Sequence, residues 1–587
     1  MKVWNKSIAL LLNNEETIEC KARRSDMLLL SDTLQFRSSV NSRSLQQCAV
    51  KLTDNCLCYR LLRDDAENKV EECLQTVLLS DVIGCQIHSN DLLDSETAVL
   101  LHIYAYPLRL RTTLNLVNRQ AKRVKKTLIL IFDKSDLFDD NYELAAKWMR
   151  AILWLIRRRD QLFLSDCTVN IPEMVPQQRK LLVLINPASG PGKALEIFEQ
   201  RVVPIFLESD IRYKVVITEY SKSGLTFVKN TIDLLTQWDS IVVVSGDGLL
   251  FEVFNGLMQR PDWEKAIKMP VGIIPGGSGN GIAHSINYAS GEPSSTNPII
   301  SAALNVVRGK SIPTDLVRIK TSKRTIYSCL SIGWGLIADI DIESERLRAV
   351  GGARFTIWAL IRAMALRKYK GRLSYLPVPG VKRPKAPVTQ NFISSRIPKS
   401  NTFDYRPDLL RKPVVQRSCS LDSPSIVPLS DVTVEYCNEV EISKTSSEME
   451  KKNDSTNNSS SNPKTSSESS YSSEWVTVDG DFVLVYSSYP THISSDCFFT
   501  PGAKFDDGII WLVYILGSAK RSQIIQFLAS LSSGNHINLP FVCSVPVRSF
   551  KLEPKSNQGR ITVDGELIEC CTLEADVMPS VARLLAR

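Results

Sequence analysis

Three short glycine-rich stretches carry the residues whose types and spacing could do chemistry. They are "NPASGPGKA" (Asn186 to Ala194), "SGDG" (Ser245 to Gly248) and "PGGSGNG" (Pro275 to Gly281). Each follows a run of apolar, mostly β-branched residues, so each stands where a strand ends. Glycine lets backbone approach a ligand closely, and successive backbone N–H groups in such loops bind phosphate oxygens. The middle loop holds an acid, Asp247, between Gly246 and Gly248. A carboxylate there repels phosphate unless its task is to take a proton from the group that attacks it. Two common phosphate motifs fail. A P-loop needs Ser or Thr after Gly192-Lys193 and Gly where Pro187 stands, and neither "GGSGNG" nor "SGDGLL" fits the dinucleotide fingerprint. One such loop alone would read as a structural turn. Three at consecutive strand ends read as a nucleotide cradle.

The segments around the loops must position them. From Lys180, strands such as "LLVLINP", "YKVVITEY" and "SIVVVSGDG" alternate with helical stretches such as "GKALEIFEQRVVPIFLES", "LTFVKNTIDLLTQW" and "LLFEVFNGLMQ". This alternation predicts a parallel sheet with helices on both faces and ligands beyond the carboxyl ends of its strands. After about Leu304 strands dominate, from "PTDLVRIKT" to "RITVDGELIE", with one interrupting helix, "ARFTIWALIRAMALRKYKG". The first 165 residues hold short β-type runs closed by the amphipathic "NYELAAKWMRAILWLIRRR" with Trp148, the order of a small barrel capped by a helix. It resembles a pleckstrin-homology module in order, without a motif. The domains expected are therefore 1–165, a pleckstrin-homology-like β module; 175–310, an α/β nucleotide-binding domain; and 311–380 with 475–587, an antiparallel β-sandwich. Residues 381–474 are rich in Ser, Asn, Lys and Glu. They read as a disordered insertion, because they bury too little apolar surface to offset ordering entropy. Within it, Arg417 to Ser420 and Ser423-Pro424 read either as kinase targets or as ordinary serine-rich sequence.

Charge and cysteine usage bound the class. A net charge of +8 on 587 residues is too diffuse to argue nucleic acid. It suits an anionic membrane surface, a phosphorylated ligand, or simple solubility. "RQAKRVKK" (Arg119 to Lys126) either touches acidic headgroups or is a solvated loop. Fourteen cysteines without metal or disulfide spacing predict reduced thiols in a cytoplasmic protein. No apolar run reaches the roughly 18 residues a span needs, so membrane association is expected to be peripheral. No metal site is assigned from side chains.

The motifs "SGDGLLFEVFNGLMQRPDWEKAI", "PGGSGNGIAHS" and "WGLIADIDIESERLRAVGGARFTIWALIRAMALRKYKGRLSYLPV" resemble the sphingosine kinases, among the diacylglycerol-kinase-type lipid kinases. The resemblance covers about 179–379 and 475–587. It implies transfer of the γ-phosphoryl group of ATP, with Mg²⁺, to the primary hydroxyl of a sphingoid base. It implies Asp247 as the base. It places nucleotide contacts on Asn186, Pro187, Ala188, Thr218, Glu219, Glu252, Gly277, Ser278, Gly279, Arg348, Arg354, Asp564, Gly565 and Glu566. It places the lipid headgroup at Ser245, Gly246, Gly248, Ser331 and Asp341. The chain departs from the family pattern at Ala188, often Arg, and in "PGGSGNG", where Pro-Ala-Gly-Ser-Gly-Asn-Ala is usual. Read without the resemblance, Arg348 and Arg354 are either phosphate clamps meeting at a bend near "VGG" or solvated charges. Asp339, Asp341 and Glu343 would share one side if "WGLIADIDIESE" is extended. A ceramide kinase, favoured by the N-terminal module, and a catalytically inactive lipid-binding scaffold are the rival readings. A homodimer is left open.

Overall fold

The computed structural model describes residues 27–37, 45–62, 74–88, 95–112, 119–157, 172–350, 353–379, 434–436, 475–556 and 558–587. The N-terminal module is a seven-stranded antiparallel sheet in the linear order Gln75–Leu78, Cys56–Leu61, Gln46–Thr53, Leu28–Arg37, Lys126–Phe132, Val99–Ala105, Val82–His88. Helix α1 (Phe138–Arg157) lies over it, and Ala145, Trp148, Ala151, Ile152 and Leu155 of α1 join its core. The i, i+3, i+4 spacing of these residues is the stripe a surface helix buries. "RQAKRVKK" is not a solvated loop. Arg119–Arg123 pairs with Leu108–Thr112 as a hairpin, and Lys126 opens the next strand. Nor is the module separate from the α/β region. Its Ile83, Tyr104 and Tyr106 share one apolar cluster with Leu181, Phe198 and Phe206 of that region.

Four parallel strands stand in the order Arg212–Ile217, Lys180–Ile185, Ser240–Ser245, Val271–Pro275. They are buried on both faces, as near-continuous Val/Ile/Leu runs demand. Alternate side chains feed two cores. Leu182, Val243 and Ile273 face one; Val183, Val244 and Ile274 face the other. The helices on this sheet include α2 (Ser223–Asn230), α3 (Asp247–Met258), α4 (Gly281–Ala289) and α5 (Pro298–Arg308). The sequence reading did not name α5, although Ser301, Asn305 and Arg308 recur at i, i+4 and i+7 along it.

No break in the ladder separates the α/β region from the antiparallel part. Strand Leu573–Ala586 pairs antiparallel with Lys310–Thr321 and Cys543–Pro554, and Leu584 meets Val271 in parallel. One fifteen-stranded sheet results, so the boundary expected at 310/311 is a change of strand direction within it. Three helices pack on the antiparallel part: α6 (Leu336–Ser344), α7 (Ala353–Met364) and α8 (Arg521–Ser530). The sequence reading found α7 alone. "LIADIDIES", expected as extended, is helical α6. Of the insertion, only Val434–Tyr436 is described, as a short strand parallel to Val215–Ile217. The kinase-target serines lie outside the described residues.

Candidate active site

Parallel pairing brings the three loops together. Ile185 stands beside Val244, and Ser245 beside Pro275, so the chain leaves all three strands on one edge. The loops then interlock. Gly190, at φ +54°, lies against Gly276 and Gly277, and a Cβ on Gly277 would stand 2.3 Å from the Gly246 Cα. The Gly246 N–H donates to Ser189 Oγ (2.9 Å), and Asn280 bonds both the N–H and the C=O of Gly277. These glycines serve loop-to-loop packing as well as ligand approach.

Asp247 is the first residue of α3, yet it caps a different helix. Its two oxygens accept the N–H groups of Gly281 (2.7 Å) and Ile282 (3.0 Å), the first residues of α4. Burial raises its pKa to about 6, those two N–H bonds oppose the rise, and nearby Asp564 adds to it. Two further acids behave alike. Glu252 on α3 accepts the N–H groups of Lys222 and Gly224 at the start of α2. Asp564, at φ +51°, accepts those of Cys329, Leu330 and Ser331 and the Ser328 hydroxyl. Burial raises the pKa of both. The carboxylates of Glu252 and Asp564, expected on nucleotide, are thus aimed at the protein's own backbone.

Helical geometry separates the acids of α6. Residues four apart share a face and a residue two along points away. Asp339 pairs with Arg362 (2.7 Å) and Tyr369. Glu343 accepts from Trp358 Nε1 (2.9 Å) and lies near Arg362, Arg367 and Arg560. Asp341 lines the cavity on the opposite side. Its expected common face with Asp339 and Glu343 does not exist. Burial raises its pKa to about 7, against the pull of Arg354 and with Glu345, Glu566 and Asp247 adding to the rise. Arg354 is buried on α7, its guanidinium 4.4 Å from the Phe355 ring centroid.

Asp247, Glu252, Asp341, Arg354 and Asp564 open onto one cavity of about 920 Å³. Every candidate residue lines it except Arg348, whose backbone lies in the 3₁₀ turn Glu345–Val350 and whose side chain is outside the described residues. That turn kinks at Leu347, ahead of the bend expected at "VGG". The polar end is formed by Asn186, Pro187, Ala188, Thr218, Glu219, Ser278, Gly279, Gly565 and Glu566. The other end is apolar, with Ile340, Phe355, Ala359, Cys497, Leu528 and Leu531. Ser331, whose Oγ accepts the Tyr486 hydroxyl (2.9 Å), also lines the cavity. The sequence reading missed the apolar residues. The period of α7 could have offered Phe355 and Ala359, whereas the mixed "RSQIIQFLAS" of α8 gives no such signal.

Residues 180–319 match the diacylglycerol kinase catalytic domain, and residues 478–586 match the YegS C-terminal NAD kinase beta sandwich-like domain. Sphingosine kinase 1 of Mus musculus is 34% identical over 415 residues, covering 69% of this chain and 91% of that protein. Sphingosine kinase 2 of Homo sapiens is 29% identical over 598 residues, covering 92% of this chain and 88% of the relative. Sphingosine kinase 1 of Caenorhabditis elegans is 34% identical, covering 67% and 78%. With loops, acids and cavity in this arrangement, and with a relative above 30% identity across two thirds of its length, the chain belongs to the sphingosine kinase family of diacylglycerol-kinase-type lipid kinases.

Proposed function

We propose that the chain transfers the γ-phosphoryl group of ATP to the primary hydroxyl of sphingosine or a related sphingoid base, giving sphingosine 1-phosphate. The observation that carries this reading is the isolation of Asp341. It is the one acid of α6 turned into the cavity, on the same cavity as Asp247. A sphingoid base carries an ammonium next to its hydroxyl, so one carboxylate pairs with the cation while the other takes the proton. Ceramide and diacylglycerol are neutral there and forgo that ion pair, which disfavours them against a sphingoid base.

The hydroxyl oxygen bonds to the γ-phosphorus, the bond to the ADP oxygen breaks, and the hydroxyl proton passes to Asp247. A base near pKa 6 is ionised at neutral pH and still accepts a proton in flight. Each Asp247 oxygen gives one lone pair to α4 and keeps another for the substrate. Backbone of the three loops cradles the phosphates, and Arg354, with Arg348, meets developing charge on them. Among the described residues no group of three or more acids, histidines or cysteines is placed as a metal cage. Glu566, beside Gly248 at the rim, is the acid that would hold Mg²⁺. A cation held there would supply neutralisation of charge on the transferring group.

Membrane contact belongs to the same reading. Ile357, Leu360, Ile361 and Met364 of α7 are exposed, and Leu360 also lines the cavity. An apolar face at the mouth of a lipid site suits a cytoplasmic enzyme that visits anionic bilayers peripherally. No helix among the described residues is long and apolar enough to cross one. The strand order and closing helix support a pleckstrin-homology-like N-terminal module. The test is a panel of sphingosine, ceramide and diacylglycerol with labelled ATP. The reading expects label on sphingosine alone. Label on ceramide would favour the ceramide kinase alternative, and label on none the scaffold.

A further inference from the structure

The N-terminal module is held to the kinase body by a closed ring of four charges. Arg123 donates to Asp81 (2.7 Å) on its own module and through Nε and Nη2 to both oxygens of Glu292 (2.7 and 2.8 Å). Arg587 closes the ring, bonding Asp81 (3.1 Å) and Glu292. The side chains of Arg123 and Glu292 are 4% and 0% exposed. A bidentate guanidinium on a carboxylate fixes orientation as well as distance, and burial removes the screening that weakens surface pairs.

The place of Glu292 gives the ring its meaning. Glu292 lies three residues beyond the end of α4, and its N–H bonds back to the carbonyl of Asn287 within α4 (2.8 Å). Ser290, next to the helix, accepts the Arg587 N–H. The far end of the same helix presents the Gly281 and Ile282 N–H groups to Asp247. A nine-residue helix is a rod of about 13 Å, so a shift at one end reaches the other. Other contacts of α4, Asn305 with Asn287 and His492 with Ser285, come from the kinase body. Among the described residues, Arg123 grips the segment leaving α4 with its side chain, and the Ala121 carbonyl beside it accepts the Thr296 hydroxyl of that segment.

We infer that Arg123 is a positioning residue for phosphoryl transfer: by holding Glu292 it sets where α4 stands, and α4 presents the two N–H groups that aim Asp247. The N-terminal module is then part of the catalytic frame. The inference rests on Asp247 acting as base, which Asp247→Asn tests separately, so either idea can fail without the other.

The test compares Arg123→Met, Arg123→Lys and Tyr106→Phe in the full chain. Tyr106 is the comparator because its hydroxyl bonds Glu208 across the same interface, away from α4. Steady-state kinetics on ATP and detergent-dispersed sphingosine and amide exchange at Gly281 and Ile282 are the readouts. Arg123→Met should lower kcat about tenfold with both KM values within about twofold, since misplacing a base costs the chemical step more than binding. Exchange at Gly281 and Ile282 should quicken. Arg123→Lys should restore part of kcat, and Tyr106→Phe should leave kcat unchanged. Should Arg123→Met fail to fold, Glu292→Gln takes its place and is expected to lower kcat with the same quickened exchange. A lower Tm with unchanged kcat and exchange would overturn the inference and leave the ring a mere tether. An equal kcat loss in Tyr106→Phe would overturn it too, since general loosening would then explain both.

Discussion

The two ends of the cavity are built from different materials. The polar end, where we place the nucleotide, is backbone: three strand-end loops locked by glycine contacts, with Asp247, Glu252 and Asp564 holding N–H groups. The apolar end, where we place the lipid, is side chain: of its three helices, α6 and α7 are tied together by Arg362 on Asp339 and Trp358 on Glu343. Gly190 and Gly277 tolerate no Cβ, because the main chain of Gly276 and of Gly246 stands 3.0 and 2.3 Å from where it would lie. Helix walls tolerate exchange of side chains, so lipid preference can vary while the phosphate cradle stays fixed.

That contrast can be broken from either side. The largest effect is expected at Asp247, where Asp247→Asn should lower kcat by roughly 10²–10⁴. The amide also turns a donor toward one of the two α4 N–H groups, so a modest fall in Tm should accompany it. Near-normal turnover would remove Asp247 as base. At the lipid end, Asp341→Ala should cut kcat/KM for sphingosine by about 10²-fold. Removing one partner of a buried pair costs roughly 3–5 kcal/mol, lowered here by solvent, and each 1.4 kcal/mol is about tenfold. The KM for ATP should hardly move; a large rise in it would place Asp341 at the wrong end.

Gly277→Ala sharpens the comparison. Its Cβ would overlap Gly246 backbone, so ATP KM should rise several-fold by titration while lipid affinity in vesicles persists. Charging Leu360 and Ile361 should do the reverse, weakening binding to anionic vesicles and sparing turnover on detergent-dispersed sphingosine. Unchanged vesicle binding would return α7 to a purely internal role.

The smallest effect is a pH-dependent stability difference. The folded pKa of Asp341, about 7, lies above its ordinary 3.8. The native state therefore keeps a proton that the unfolded chain has released, and stability drops as pH rises from about 4 through about 7. Asp341→Asn removes that dependence. Its Tm should exceed wild type at about pH 8, and the gap should shrink toward about pH 5. A gap that widens in acid would reverse the assigned sign.

Sequence legibility was a matter of range. The loops and Asp247 were legible because glycines, an Asn-Pro and an acid sit within a few residues of a strand. Asp341 came from the family resemblance, and alternation in an extended chain would group it with Asp339 and Glu343, whereas its isolation comes from a helix that turns those two away. Isoleucines at 337, 340 and 342 hid that helix under β-type residues. Strand Leu573–Ala586 was missed because Pro579 and the positive φ of Ser580 break its alternation. Arg123 sat in a run of cations that looked solvated. Its partners, Asp81 and Glu292, lie 42 and 169 residues away, beyond the reach of any local pattern.

The continuous sheet has a consequence for how the molecule is made. Strand Leu573–Ala586 is inserted between Val271–Pro275 and Cys543–Pro554, so the nucleotide half finishes its sheet with residues translated some three hundred positions later. Closure of this kind is slow, because loop entropy must be met before distant pairing rewards it. A chain stopped before Leu573 would present Val271–Pro275 and Lys310–Thr321 as bare edges, ready to pair with other copies. Cutting the gene at the apparent domain boundary should therefore yield an aggregating fragment, and a chaperone that shields these edges during synthesis would raise the yield of whole enzyme.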